Sequence, residues 1–389
     1  MKILKKNILF SLILFVLINF PKINLVSIAG LQQGLRLDDI LFLVFLFVCI
    51  IKKSKVRILG GYSGLTLIIF MFISCFLSFI FIEEFNFISV VFNFRWLQYF
   101  LFAYVFKDVF KYSSINVFKL SLWLQLLISL IQIYIFNYNR SQGSFNGPWE
   151  LANVAFLIGL YIYFKEDKKK YLVITFLLIV LSVSRMSLMA MVIFGLIFFY
   201  DFMKNKKSKI KLIIITATLL SFIFLSPLLI KYFSLDFLYN VEVIYDLLGT
   251  IKNEVLLSVR SGDNSSSLFG EFKDSLDGSL AIRLDMWLNL FFTFMSYQPR
   301  TIALLFGISP GQIGIIIDGL YVRLLFEFGL IGSFLFYKWI KSLKRTYVNG
   351  GFYLLSLLIS GLTLDPFTSS KVMLALSAVL LMRNKKIIE

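Results

Sequence analysis

Eight arginines stand apart from the lysine-rich clusters of this chain: Arg36, Arg95, Arg140, Arg185, Arg260, Arg283, Arg300 and Arg323. A guanidinium is a planar, permanently charged fork that grips phosphate or carboxylate through two parallel hydrogen bonds and tolerates partial burial. Fixed cations of this kind can take up charge that grows on a departing phosphate. Carboxylates fall among them in sequence: Asp285 beside Arg283, and Asp318 and Glu327 on either side of Arg323. A carboxylate near an attacking hydroxyl can accept its proton. The 389 residues include no histidine, which removes both the commonest general base and the commonest metal ligand. Cys49 and Cys75 both lie in apolar stretches, where two thiols make neither a disulfide framework nor a metal site. The chemistry expected is therefore carried by carboxylates, guanidinium, ammonium and hydroxyl groups, with no metal and no cofactor.

The elements that must position these residues are membrane helices. Hydrophobic residues make up 59% of the chain and charged residues only 16%, a balance that a soluble domain of this length cannot bury. Apolar spans are expected at 7–30, 38–51, 61–82, 87–106, 115–137, 149–164, 171–184, 187–203, 210–230, 318–338, 350–364 and 370–382. The fold class is all-α and polytopic, with about twelve transmembrane helices in one domain and no internal repeat. The N-terminal "MKILKKNILFSLILFVLINF" looks like a signal peptide, but no A-x-A-like site follows, so it reads as an uncleaved first helix.

The formal net charge of +17 does not point to nucleic acid, because the cations lie in short clusters between spans. "MKILKK", "KKSKVR", "KDVFK", "KEDKKK", "KNKKSKIK", "KWIKSLKR" and "RNKK" hold 25 of the 39 Lys and Arg residues. Placing all seven in the cytoplasm gives twelve crossings with both termini cytoplasmic and puts "RSQGSFNGPWE", residues 140–150, outside. The apolar run 171–200 is about 45 Å long as one helix, yet lysine clusters bracket both ends. A hairpin turning at "SVSRMS", residues 182–187, reconciles the two and recesses Arg185 near headgroup depth.

Of the 25 clustered cations 22 are lysine, whereas eight of the remaining 14 are arginine. Topology needs only positive charge, so the bias asks for another reason, and a charge at membrane depth is usually functional. Arg140, Arg185 and Arg283 are read as a set facing an anionic ligand, with Arg140 beside the flexible "GSFNGP" backbone. The alternative is internal pairing with Asp38, Glu83, Glu84 or Asp285.

The longest extracytoplasmic segment runs over 231–317. Its first part, "LDFLYNVEVIYDLLGTIKNEVLLSV", spaces apolar residues as an amphipathic surface helix does. After "SGDNSSS", "GSLAIRLDMWLNLFFTF" forms a helix that puts Arg283 and Trp287 one turn apart. "FGISPGQIG" is a Gly/Pro turn of a kind that suits close approach by a ligand or re-entrant backbone, and a plain connector has the same composition. "DGLYVRLLFEFGLIG" then carries Asp318, Arg323 and Glu327 into a span, facing either a polar cavity or one another.

In order along the chain, "LRLDDILFL", "R-x-x-G-x-x-x-x-P" from Arg140, "S-x-S-R" at Arg185, "R-x-x-x-W" at Arg283, "FGISPG", and "D-x-x-Y" with "E-x-G-x-x-G" at Asp318–Gly332 resemble the O-antigen polymerase and O-antigen ligase superfamily of bacterial envelope enzymes. The resemblance implies a C-type glycosyltransferase-like membrane fold acting on undecaprenyl-diphosphate-linked oligosaccharide outside the cytoplasm. The polymerase branch moves a growing O-antigen or capsule glycan onto a new lipid-linked repeat unit. The ligase branch moves finished glycan to a lipid acceptor, typically with a histidine where this chain has Asp318. That departure turns the expectation toward a polymerase. Arg185 and Arg283 are then expected at the leaving diphosphate, with Arg140 third. Asp318 is expected as base, with Asp285 and Glu327 behind it, and Arg323 and Trp287 at the substrate. Expected partners are the lipid-linked oligosaccharide, membrane lipid and a polysaccharide chain-length regulator. A flippase or other transporter is the rival class, although such proteins usually show internal duplication.

Overall fold

The computed structural model describes residues 2–21, 23–27, 34–82, 85–184, 187–195, 278–312, 319–362 and 364–382. Arg185, Arg260, Asp318, the expected span at 210–230 and the expected surface helix before residue 261 lie outside the described residues. The chain divides into two compact units, one of residues 1–193 with 291–389 and one of residues 194–290.

Among the described residues the chain is helical apart from one short hairpin. In order these are α1 (Lys2–Asn19), β1 (Asn24–Ser27), β2 (Gly34–Arg36), α2 (Leu37–Ile51), α3 (Tyr62–Phe81), α4 (Ile88–Val105), α5 (Lys107–Tyr112), α6 (Asn116–Tyr134), α7 (Pro148–Glu166) and α8 (Lys169–Ser182). A helical stretch at 187–195 follows. Then come α9 (Gly278–Ser296), α10 (Arg300–Phe306), α11 (Leu320–Phe326), α12 (Gly329–Thr346), α13 (Gly350–Ser360), a 3-10 turn (Pro366–Thr368) and α14 (Ser370–Leu381). Strands β1 and β2 pair antiparallel, a feature the twelve-helix expectation did not contain.

Two helices form the core of the larger unit. Every residue of α7 from Glu150 to Ile162 is buried, and so is every residue of α14 from Ser370 to Leu380. A helix that is apolar all round must be covered all round. Pro148 starts α7 at its first position, where a missing N–H costs nothing. Gly159 lets α8 approach, since a Cβ there would strike the Thr175 side chain. Surrounding helices turn large apolar side chains outward: Phe47 on α2 is 63% exposed and Phe76 on α3 is 62% exposed, with Trp123 and Phe334 alike. Apolar surface of this extent is compatible with a chain embedded in a membrane.

By length and composition, three helices among the described residues can cross a membrane: α3, α4 and α6. Five shorter apolar helices accompany them among the described residues. The expectation of twelve full spans is thus not met among the described residues, for identifiable reasons. The break expected within 182–187 is present, since Val183 takes a left-handed conformation at the end of α8, but α8 itself is only 14 residues long. The span expected at 318–338 is broken between α11 and α12. The last two spans shrink to helices of 11 and 12 residues, each about 17 Å long, or half a bilayer core.

Candidate functional site

The break between α11 and α12 exists because another loop is threaded against it. At Gly307, just past α10, φ is 74° and a Cβ would collide with the Glu327 carbonyl. Ile308 N–H then donates to Phe326 O (3.0 Å) and Ser309 N–H to Glu327 O (3.1 Å). At Gly329 φ is 63°, and a Cβ would stand 2.5 Å from Gly307 N and 2.8 Å from the Leu305 carbonyl. Glycine is required on both sides of this contact, since any side chain would push the two backbones apart. Ser309 and Ser89 share a hydroxyl hydrogen bond of 2.6 Å, and Asn93 Nδ2 donates to Ser309 Oγ (3.3 Å), which docks the loop on α4. The turn chemistry of "FGISPG" and Gly329 of "E-x-G-x-x-G" therefore serve one backbone junction, while Gly332 leaves room for the Phe70 ring.

A charge cluster is built on that junction. Arg323 and Glu327 lie one turn apart, both side chains 1% exposed, and Arg323 Nε donates to Glu327 Oε2 at 2.6 Å. Arg323 Nη1 donates to Asp365 Oδ2. Glu327 Oε1 accepts the Gly311 N–H at 3.2 Å, so the loop amide and the guanidinium hold opposite oxygens of one carboxylate. Asp365 Oδ1 accepts the Phe367 N–H at 2.9 Å and so caps the 3-10 turn. One guanidinium thus faces two carboxylates, and the trio carries a formal charge of −1.

The segment after Asp365 carries further polar groups inward. Ser369 Oγ donates to Glu150 Oε1 at 2.6 Å and accepts the Val372 N–H at 3.3 Å, which caps α14. The other oxygen of Glu150 accepts the Asn146 N–H at 3.3 Å. Tyr99 Oη donates to Thr368 O (2.9 Å), and buried Lys371 Nζ donates to Leu17 O (2.6 Å). Irregular backbone at membrane depth survives only when protein covers it, and Asp365, Pro366, Phe367, Ser369 and Ser370 are all buried. Glu150, Arg323, Glu327, Asp365 and Lys371 together form a buried ionisable seam in an apolar bundle. Such a seam is the strongest candidate site by cost alone.

The expected site residues distribute unevenly about it. Arg323 and Glu327 are brought together. Arg140 is exposed, and its guanidinium donates to Val183 O (3.2 Å) and Ser182 O (3.4 Å). A cation suits the carbonyl end of a helix, here α8. Arg140 is thereby fixed beside the segment that leads to Arg185 in sequence. Trp287, on α9, is half-buried. Arg283 and Asp285 belong to the same helix, but their side chains lie outside the described residues, as do Arg185 and Asp318 altogether.

The "GSFNGP" backbone, expected to be flexible, is instead tied to its neighbours. Gln132 Oε1 accepts from Gly143 N–H (2.9 Å) and Gln142 N–H (3.1 Å), while Gln125 Oε1 accepts from Ser144 N–H (2.9 Å). Two glutamines of α6 hold the connector down, and Ser141, Gly143, Phe145 and Gly147 are buried. Sequence reasoning passed over Glu150, Asp365 and Lys371. Their signal was an ionisable residue within a few positions of an apolar span. It was masked because all three fall at expected span boundaries.

Compared with known proteins, the chain matches no family model and no curated protein.

Proposed function

We propose that the chain is a metal-independent glycosyltransferase of the polymerase type, transferring a growing glycan from undecaprenyl diphosphate to a lipid-linked repeat unit. The observation that supports this best is the convergence of two separated motifs, the Gly307–Gly311 loop and Glu327–Gly332, on one buried charge cluster. In this reading the fold is C-type glycosyltransferase-like with about twelve crossings, both termini are cytoplasmic, and the reaction takes place on the extracytoplasmic face. The acceptor hydroxyl attacks the anomeric carbon of the donor sugar, the bond from that carbon to the diphosphate oxygen breaks, and the electron pair leaves with the diphosphate. Asp318, two residues before α11, takes the hydroxyl proton. Arg185 and Arg283 neutralise the leaving diphosphate and Arg140 orients it.

Arg323 has two donor positions already spent on Glu327 and Asp365, so its part is to hold the α11 end in place. Asp285 and Trp287 remain assigned to substrate binding, and a chain-length regulator remains an expected partner. One observation favours the transporter reading instead: a helix broken beside buried charges is a familiar way to build a binding site at the midplane. Glycan profiling of a strain lacking the protein, complemented with wild type or Arg185→Lys, separates these readings. Single repeat units in the null strain, a ladder with wild type and none with a stably expressed Lys variant support the polymerase. Full-length polymer held on the carrier would make it a ligase, and single units trapped inside would make it a flippase.

A further inference from the structure

Away from the charge seam, an open groove of about 1200 Å³ lies where the ends of α3, α4 and α12 meet. Arg57, Gly61, Tyr62, Lys107, Thr346 and Tyr347 are among its lining. Arg57 and Lys107 are exposed, and neither joins an ion pair with a carboxylate among the described residues. Burial raises the Tyr347 phenol above its ordinary value and the Arg57 charge offsets part of that, which sets Arg57 near the phenol at the groove wall. The groove therefore presents two cations and a phenol at one place. An apolar rail leads out of it. Tyr62, Leu65, Ile69, Ile73 and Phe76 follow one face of α3 at helical spacing, all exposed, with Tyr62 at 88%. A free anion would use the cations and leave the rail idle, whereas an amphiphile uses both.

We propose that this groove is a binding site for an anionic phospholipid, with the phosphate held between Arg57 and Lys107 and an acyl chain laid along α3. Lysines crowd the same end of the bundle at Lys52, Lys53 and Lys55, as on a membrane face turned toward anionic lipid. The site is separate from the reaction proposed above and needs no glycan substrate.

The test is native mass spectrometry of the full chain in detergent, titrated with dioleoyl phosphatidylglycerol or dioleoyl phosphatidylcholine. Wild type should bind the anionic phosphatidylglycerol in preference to the zwitterionic phosphatidylcholine. Each lost charge should weaken it about fivefold, so Arg57→Gln/Lys107→Gln should weaken it about 25-fold. The exchange Arg57→Lys/Lys107→Arg should retain the preference, and Lys165→Gln at the end of α7 should change it less than twofold. Equal weakening by Lys165→Gln would reduce the effect to general surface charge and overturn the proposal. So would an unchanged affinity in the double Gln variant, or displacement of the lipid by inorganic phosphate at comparable concentration, which would mark a free-phosphate site.

Discussion

Replacing Arg323 by methionine should be among the most damaging single changes in the chain. The side chain is 1% exposed and is shared by Glu327 and Asp365, so its loss strands two buried carboxylates. Breaking one buried ion pair from one side costs about 3–5 kcal/mol. Total stabilities run about 5–15 kcal/mol, so the change removes a large fraction of what holds the fold. Asp365→Asn should cost less than half as much, because it removes the excess charge while its remaining oxygen can still cap Phe367. The triple variant Arg323→Met/Glu327→Gln/Asp365→Asn should recover most of the loss, since no buried charge remains in the trio and the amide oxygen introduced by Glu327→Gln still accepts the Gly311 N–H. Unfolding in mixed detergent and dodecyl sulfate, followed by tryptophan fluorescence, reads the junction directly, because the Trp96 ring lies 5.7 Å from that of Phe328. An Arg323→Met protein within about 1 kcal/mol of wild type would refute the cluster as a structural unit, because breaking a buried pair from one side cannot be that mild.

Two further outcomes follow from the same geometry. Gly329→Ala combines a left-handed backbone with a Cβ driven into the Leu305–Gly307 backbone, and should cost about 2–4 kcal/mol, whereas Gly61→Ala, with open space around its Cβ, should cost about 1 kcal/mol in the same unfolding assay. Glu166 is held below its ordinary value by hydrogen bonds from Lys119 and Lys168, so its contribution is fully present above about pH 4.5 and is lost as pH falls through the depressed value. Melting of wild type against Glu166→Gln should differ by about 1 kcal/mol near neutrality and converge in acid; a gap that widens on acidification would contradict the assignment.

The helical character of the chain and the break at Val183 were legible from apolar runs and their lysine flanks. Span lengths were less legible, because a run of apolar residues does not say where a backbone must bend to meet another. The break at Glu327 is set by Gly307, twenty residues earlier, and periodicity along α11 and α12 carries no trace of it. The partner of Arg323 was equally hidden. Spacing alone offers Glu327, four residues on, as a helical neighbour, but Asp365 lies 42 residues away and meets the guanidinium only through the docking of the turn after α13. The connector at 140–147 shows the opposite failure. Its glycines read as freedom, yet Gly143 is glycine because Gln125 leaves no room for a Cβ.

The cluster also bears on the proposed reaction. A guanidinium offers a limited fork, and Arg323 has turned its Nε and Nη1 toward the carboxylates of Glu327 and Asp365. On the polymerase reading proposed above, the cations that neutralise the leaving diphosphate would come instead from the other arginines that stand apart from the lysine clusters. Arg140 is anchored to the carbonyls of Ser182 and Val183, so its charge is held beside the segment that continues into Arg185. On the same reading the polar connector between two apolar helices serves to fix an arginine in place, because the connector is itself tied to Gln125 and Gln132 of α6.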